Sequence, residues 1–487
     1  MADFISEIKR INTDGLIYWF SQQSIEMFKT QDSLKQIEIP VIRYGRPQRL
    51  CVQLSAWDIP DIDYLSVKFS NDYRSSKRRC PPNQLVNLYR DYDNEANSPE
   101  IIKNMELEQD GLFRVILGMT AEQFQYNNMA WIFERFNRNY YILLAAPNFA
   151  HRFEIDVNNL INQIFGCTAD DYIAILLMVF WLCSQSPLPL TAPPHLYQRK
   201  EVTILTEENL TKFIAYYTCS YAELRTSPLK KQLLYAKPFI KTDRTKSVML
   251  SSMFLVAMLV GNGLYWLIRD YYREKSQTFV NAFGRLFEDY IFDLATTYCT
   301  PSEWTRLKEG KKKEADFLFT FNGVQILVEA KTSLLGLEGK QQVPDSGTIN
   351  KFLMNTIQKA YQQLTSSYEQ LKRKSNIDTP ILKIILLYDE FSNTAILEQS
   401  IEEIFLHDPI CYIITIRELE ILLHAHKHYV PQFEAVLTAL AYPKEEGIHR
   451  KTVSAVLDDF SLRQNHHFEG EMDFFQKLMD HFGTQLK

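Results

Sequence analysis

The sequence predicts a mixed α/β protein, α+β overall, with helices and strands in regular succession through the second half of the chain. Three observations lead to this class. Apolar residues recur at helical spacing over about 276–298, and apolar runs flank an Asn-Gly pair at 322–323. An amphipathic segment at about 349–372 then precedes an apolar run at 381–388. The first 270 residues are expected to be mainly helical with some strands.

The helix predicted at 276–298 carries an apolar stripe on one face. Its members recur three and four residues apart: Phe279, Phe283, Leu286, Phe287, Tyr290, Ile291 and Leu294. Glu288 falls beside this stripe. Its carboxylate is therefore expected to reach towards a sheet that the helix covers.

The segments 314–321 and 324–331 are predicted to form an antiparallel hairpin around the Asn-Gly turn. Asp316 lies six residues before Asn322, and Glu329 lies six residues after Gly323. A two-residue turn would set the two acids opposite each other on adjacent strands. Because side chains alternate between the faces of a strand, Glu329 and Lys331 should point the same way.

These residue types suit metal-assisted hydrolysis of a phosphodiester. The carboxylates of Asp316 and Glu329 and the backbone carbonyl of Ala330 offer the oxygen ligands that Mg²⁺ prefers. Lys331 can orient or deprotonate the attacking water, or neutralise the scissile phosphate. The alternative is a solvated Glu-Ala-Lys at a strand end, with Glu288 a surface acid. It leaves a lysine and two acids at the ends of apolar strands unexplained.

The order helix-Glu, strand-Asp, strand-Glu-x-Lys, helix, strand resembles the PD-(D/E)XK nuclease superfamily over about 275–430. The resemblance implies a restriction-endonuclease-like αβββαβ core with a mixed sheet, which requires one further short strand that the sequence does not place. Asp316, Glu329 and Lys331 match the motif's residues. Ala315 stands where the motif usually has proline.

The resemblance also implies a set of roles. The catalytic residues would be Glu288, Asp316, Glu329 and Lys331, with Mg²⁺ held by the three acids and the Ala330 carbonyl, and Mn²⁺ able to substitute. Some members of the superfamily place a glutamine on the following helix beside the site. Gln363 is favoured over Gln358 for this supporting role, although a solvated helix face remains the alternative.

The activity that the resemblance implies is that of an Mg²⁺-dependent endonuclease in prokaryotic defence or restriction, acting on DNA in preference to RNA. Such an enzyme is expected to be a cytoplasmic homo-oligomer, targeted or regulated by its N-terminal region and open to a protein trigger. Three alternatives stay open: an RNA nuclease, a catalytically silent nucleic-acid-binding or assembly module on the same fold, and a membrane-associated effector.

Charge and cysteine content limit the partners and the compartment. The net charge of −6 argues against a protein that coats nucleic acid over its whole surface. Lys311, Lys312 and Lys313 precede the strand of Asp316 and are predicted to contact phosphates. The seven cysteines are scattered without a C-x-x-C pattern, and the first residues lack a signal-peptide core. Both observations favour a reducing cytoplasm.

The chain is predicted to divide into four parts. They are a recognition, sensor or assembly region at 1–190, a helical connecting region at 191–270, the nuclease domain at 271–430 and a helical extension at 431–487. The apolar segment 248–268 is long enough to span a membrane, but serines and a Gly-Asn-Gly interrupt it. It is therefore predicted to be a buried helix, with no stable membrane insertion.

A histidine triplet at 424, 426 and 428 invites a metal interpretation. Only His424 and His428 share a helix face, and neither an acid nor a cysteine stands close by in sequence. A metal site at the triplet is therefore not predicted.

Overall fold

The computed structural model has a mixed α/β fold with mixed β-sheets. It describes residues 2–43, 46–70, 82–97, 102, 116–120, 126, 129–145, 157–188, 207–243, 246–307, 314–335, 346–374, 379–391, 394–443 and 450–463. The predicted phosphate contacts Lys311, Lys312 and Lys313 lie outside these described residues.

The first half is mainly helical, as the sequence predicts. Its first elements are α1 (Ala2–Ile8), α2 (Thr13–Thr30), β1 (Leu34–Arg43), β2 (Arg46–Ser55), α3 (Ile59–Phe69), α4 (Pro82–Tyr92), α5 (Met129–Tyr140), α6 (Val157–Phe165) and α7 (Ala169–Gln185). Strands β1 and β2 form an antiparallel hairpin.

A three-stranded sheet interrupts the helices that follow. The elements are α8 (Glu207–Tyr216), β3 (Thr218–Ser220), α9 (Tyr221–Thr226), α10 (Gln232–Ala236), β4 (Phe239–Lys241), β5 (Val248–Leu250) and α11 (Met253–Tyr271). This sheet was not predicted, because strands of three residues are too short to display an alternating pattern.

Helix α11 forms part of the protein core. By length and composition it could cross a membrane, as could the bent pair of α6 and α7 if that pair were one span. However, 78% of the apolar window of α11 is buried inside the protein. The prediction of a buried helix is confirmed, except that the start of the segment 248–268 forms β5.

The second half contains a five-stranded sheet and the helices that cover it. The elements are α12 (Ser276–Tyr298), β6 (Trp304–Arg306), β7 (Phe317–Phe321), β8 (Val324–Lys331), α13 (Ser346–Phe352), α14 (Lys359–Lys374), β9 (Ile381–Leu387), α15 (Ala395–Gln399), α16 (Glu402–His407), β10 (Cys411–Thr415), α17 (Ile416–His428), α18 (Val430–Ala441) and α19 (Val453–Asp459). A π-helical segment, Leu353–Gln358, joins α13 to α14.

The strand order is β10-β9-β8-β7-β6. Strands β6, β7 and β8 pair antiparallel, whereas β8, β9 and β10 pair parallel. Strand β6 has only three residues and was not predicted from the sequence. The strand predicted at 314–321 begins instead at Phe317, so Asp316 lies just before it.

Alternating residues of β8 pack on opposite faces of the sheet. Val324, Ile326 and Val328 join the large apolar core that includes α12, α17 and most helices of the first half. Leu327 joins a smaller core with α13, α14 and residues of β9. The sheet is therefore covered on both faces, and its two faces carry different cores.

A buried charged network ties helix α5 to the second half. The Arg138 side chain is 1% exposed and donates two hydrogen bonds to Glu420 on α17, at 2.6 and 2.7 Å. It also donates to Glu390, which follows β9, at 2.5 Å. Arg135 donates to Glu390 at 2.9 Å, and the Tyr290 hydroxyl on α12 donates to Glu420 at 2.6 Å.

Replacing Arg138 with methionine should lower the free energy of unfolding by about 3–5 kcal/mol, because the buried Glu420 then loses its arginine and Glu390 keeps only Arg135. The measurement is the midpoint of urea unfolding. The matched control is Arg49→Met, since Arg49 pairs with Glu38 with 80% and 48% of their side chains exposed. The free energy of unfolding of Arg49→Met should differ from that of the wild type by less than about 1 kcal/mol. Equal losses in the two variants would contradict the network's role.

Candidate active site

The β7–β8 hairpin places the two predicted acids side by side. Asn322 and Gly323 have φ of 47° and 82°, the left-handed backbone that a two-residue type I′ turn requires. The paired register of the hairpin ends at Phe317 and Val328, and the amide of Asp316 donates to the carbonyl of Val328 at 3.0 Å, which places Asp316 beside Glu329. The amide of Ala330 donates to Asp316 Oδ2 at 2.8 Å, which fixes the orientation of that carboxylate.

Glu329 is a buried carboxylate with one unsatisfied oxygen. The residue is 2% exposed, and its Oε1 accepts a hydrogen bond from Lys331 Nζ at 2.5 Å. Its Oε2 is buried and has no hydrogen-bond partner among the described residues. An ionised carboxylate in this position is costly unless a positive charge completes it.

Lys331 is held by two acceptors. Besides its contact with Glu329, its Nζ donates to Gln363 Oε1 at 2.9 Å. Gln363 reaches it from α14, which packs on the face of β8 that carries Leu327. Of the two glutamines that the sequence singled out, Gln363 is thus brought to the lysine, while Gln358 ends the π-helical segment.

Glu288 approaches the pair from α12 and is held by a residue that the sequence did not indicate. Arg306 on β6 donates to Glu288 Oε2 at 2.6 Å and to Asp289 Oδ1 at 2.9 Å. No sequence signal identified Arg306, because the three-residue strand that carries it was itself missed. The charge of Glu288 raises the pKa of both Asp316 and Glu329, so all three acids share one electrostatic site.

Burial and mutual repulsion perturb both hairpin acids. Burial raises the pKa of Asp316 to about 6, against the opposing effect of the hydrogen bond from Ala330. Burial raises the pKa of Glu329 to about 8; the charge of Asp316 adds to this, and Lys331 opposes it. A lysine alone therefore does not compensate the acids. Near neutral pH the cluster takes up either a proton or another cation.

The donor set fits a hard divalent cation. Asp316, Glu329 and Glu288 offer carboxylate oxygens, and the unpartnered Glu329 Oε2 is available as a ligand. The N–H and C=O of one strand residue point to the same side, so the Ala330 carbonyl lies on the side of Asp316. A cation bound there would supply the positive charge that Lys331 alone does not.

Comparison of the chain with protein-family models, with curated proteins and with solved structures finds no match.

In metal-free protein, Glu329 should make stability fall as pH rises. Its pKa is about 8 in the folded protein against an ordinary 4.5, so its contribution to stability is full below about 4.5 and is lost as pH rises through about 8. The free energy of unfolding of Glu329→Gln, relative to that of the wild type, should therefore rise by a few kcal/mol between about pH 5 and about pH 9, at roughly 1.4 kcal/mol per pKa unit. Asp316, whose pKa burial raises to about 6, also makes stability fall as pH rises.

The measurement is urea unfolding in EDTA across this pH range. Glu369→Gln, on an exposed position of α14, serves as control and should run parallel to the wild type. Parallel curves for Glu329→Gln and wild type would show that Glu329 does not titrate as its burial requires.

Proposed function

We propose that the protein is a metal-dependent nuclease that hydrolyses phosphodiester bonds, with Mg²⁺ as the cation and DNA as the favoured substrate. The observation that carries the proposal is Glu329, a buried carboxylate with an unpartnered oxygen beside Asp316 and Lys331. Two acids and a lysine in this arrangement can serve phosphoryl chemistry, and carboxylates with perturbed pKa values cluster at functional sites.

The order of elements supports assignment to the PD-(D/E)XK superfamily. Helix α12, the antiparallel strands β6, β7 and β8, helix α14 and the parallel strand β9 follow the αβββαβ order that the sequence resemblance implies. Glu288 lies on α12, Asp316 just before β7, and Glu329 and Lys331 on β8, an arrangement that supports the match to the superfamily's motif.

The residues of the site have different roles in the proposed reaction. Asp316, Glu329, Glu288 and the Ala330 carbonyl would hold Mg²⁺, which supplies Lewis-acid polarisation of the phosphate and offsets the charge of the transition state. Lys331 directs its third N–H donor at the phosphate oxygen or the attacking water. Gln363 and Glu329 hold the lysine in place for that contact.

The first half is proposed to recognise substrate, sense a trigger or drive homo-oligomerisation in the cytoplasm of a prokaryote, in defence or restriction. The contacts of α5 support a regulatory link to the sheet. Arg135 and Arg138 bind Glu390, and the neighbouring Asp389 accepts a hydrogen bond from the amide of Leu335 at 2.9 Å. Leu335 lies four residues after Lys331 in the chain.

Asp316→Asn and Lys331→Ala should each reduce cleavage to background while leaving the fold intact. Asparagine keeps an acceptor for the Ala330 amide but removes the charge that binds the cation. The assay incubates plasmid, linear duplex, single-stranded DNA and RNA with protein in Mg²⁺, Mn²⁺ or EDTA. Lys359→Ala, on an exposed position of α14, is the control and should cut at the wild-type rate.

The outcomes separate the alternatives. Metal-dependent cutting that both variants lose supports the nuclease, and the substrate that is cut decides between DNA and RNA. Wild-type rates in either variant refute the site. Binding of nucleic acid without cutting favours the catalytically silent module.

Gln363→Leu should slow cleavage by about 10–100-fold, a loss typical of residues that orient a catalytic group. Leucine removes the acceptor that holds Lys331 Nζ. Gln363→Glu retains an acceptor at that position and should recover part of the rate. A Gln363→Leu variant with unchanged kcat and an unchanged pH profile of cleavage would mean that Gln363 is a bystander.

A further inference from the structure

A second cluster of ligand-type side chains lies at the turn between α12 and β6. Cys299 and Glu303 belong to this turn, and His426 reaches it from α17. One potential ligand atom from each residue lies within 4.8 Å of the others. A thiol, a carboxylate and an imidazole from two separate segments thus converge on one point.

Hydrogen bonds hold the α12–β6 turn, which carries Cys299 and Glu303, in one conformation. The Cys299 amide donates to the carbonyl of Ala295 at 2.9 Å, and the Glu303 amide donates to that of Thr300 at 3.0 Å. The carboxylate Oε2 of Glu303 in turn accepts from the Thr300 amide at 2.7 Å. Cys299 and Glu303 are therefore held by the backbone of their own turn.

The imidazole is fixed as well. His426 Nε2 lies 3.2 Å from Glu303 Oε2. The ring packs against Phe321 of the β7–β8 turn and against Phe433 of α18, with ring centroids 4.5 and 4.9 Å apart. This packing holds His426 against the α12–β6 turn.

This cluster includes one member of the histidine triplet. The histidine triplet was set aside because no acid or cysteine stood close by in sequence. Glu303 lies 123 residues before His426 and meets it only through the fold. His426, which shares a helix face with neither neighbour in the triplet, is the one that finds these partners.

We propose that Cys299, Glu303 and His426 form a binding site for Zn²⁺, with the fourth coordination position open to water. Thiolate, imidazole and carboxylate are the zinc ligands of proteins, and three protein ligands with one open position are a recognised arrangement. Mg²⁺ and Ca²⁺ prefer oxygen ligands alone, so this donor set discriminates against the cation proposed for the hairpin acids.

Zinc at this point would join α17 to the turn that leads into β6. The thiol of Cys299 would release its proton to solvent on binding, so that affinity should rise with pH. Arg306, which holds Glu288, lies three residues after Glu303. The metal would therefore brace the strand that supports one acid of the candidate active site, although the inference does not rest on that site being a nuclease.

The experiment titrates the metal-free, full-length protein with Co²⁺ and then displaces the Co²⁺ with Zn²⁺. Cobalt bound to a thiolate gives a near-ultraviolet charge-transfer band, which oxygen ligands do not give. We expect one equivalent of this band in the wild type and its loss in Cys299→Ser. His426→Gln and Glu303→Gln should bind at least about tenfold more weakly, since each lacks one ligand.

Controls separate this site from others. Cys51→Ser and His407→Gln change exposed residues and should keep the band. Asp316→Asn should also keep it, so failure here and failure of the nuclease proposal are distinguishable. Circular dichroism and the unfolding temperature in EDTA establish that Cys299→Ser is folded. Absence of the band in wild type, or its persistence in Cys299→Ser, would overturn the assignment.

Discussion

The burial of Arg138 constrains the arrangement of the whole molecule. A guanidinium removed from water is tolerated only where carboxylates meet most of its donors, and here those carboxylates come from two distant segments. Glu420 fixes α5 against α17, while Glu390 fixes it against the segment after β9. Tyr388 strengthens this contact, because its hydroxyl donates to Asn139 of α5. The apolar core follows the same path, since one continuous cluster includes residues from α1 to α19.

Two buried glutamates, Glu390 and Glu329, differ in how far neighbouring positive charges compensate them. Burial alone would raise the pKa of Glu390, but Arg135 and Arg138 hold it at about 2. Glu329 is comparably buried, yet it has one lysine and two neighbouring acids, and its pKa is raised to about 8. The first carboxylate is fully compensated and serves as a fixed anchor. The second shares one lysine with two other acids, and this deficit of positive charge is the basis of the proposed cation site.

Local patterns in the sequence predicted the helices, strands and turn that form from residues close together in the chain. The stripe on 276–298 gave the helix α12, and the Asn-Gly pair gave the turn of the hairpin that brings Asp316 beside Glu329. The run at 381–388 gave β9 but for its last residue. Features built from short strands or distant residues were missed, among them Arg306 on β6 and the convergence of Cys299 with His426. No periodicity encodes such contacts, because the fold alone brings them together. The superfamily assignment itself stays a prediction.

The counter-ions of Glu390 and Glu420 bear on whether the second half can fold without the first. Both arginines that bind these carboxylates belong to α5, so a chain that began after Ala145 would keep two buried acids without those counter-ions. It would also expose the apolar surface that α5 covers on α11. The second half is thus expected to behave as an inseparable part of one cooperative folding unit. Transferring it to another protein as an independent domain would require redesign of the surface that α5 covers.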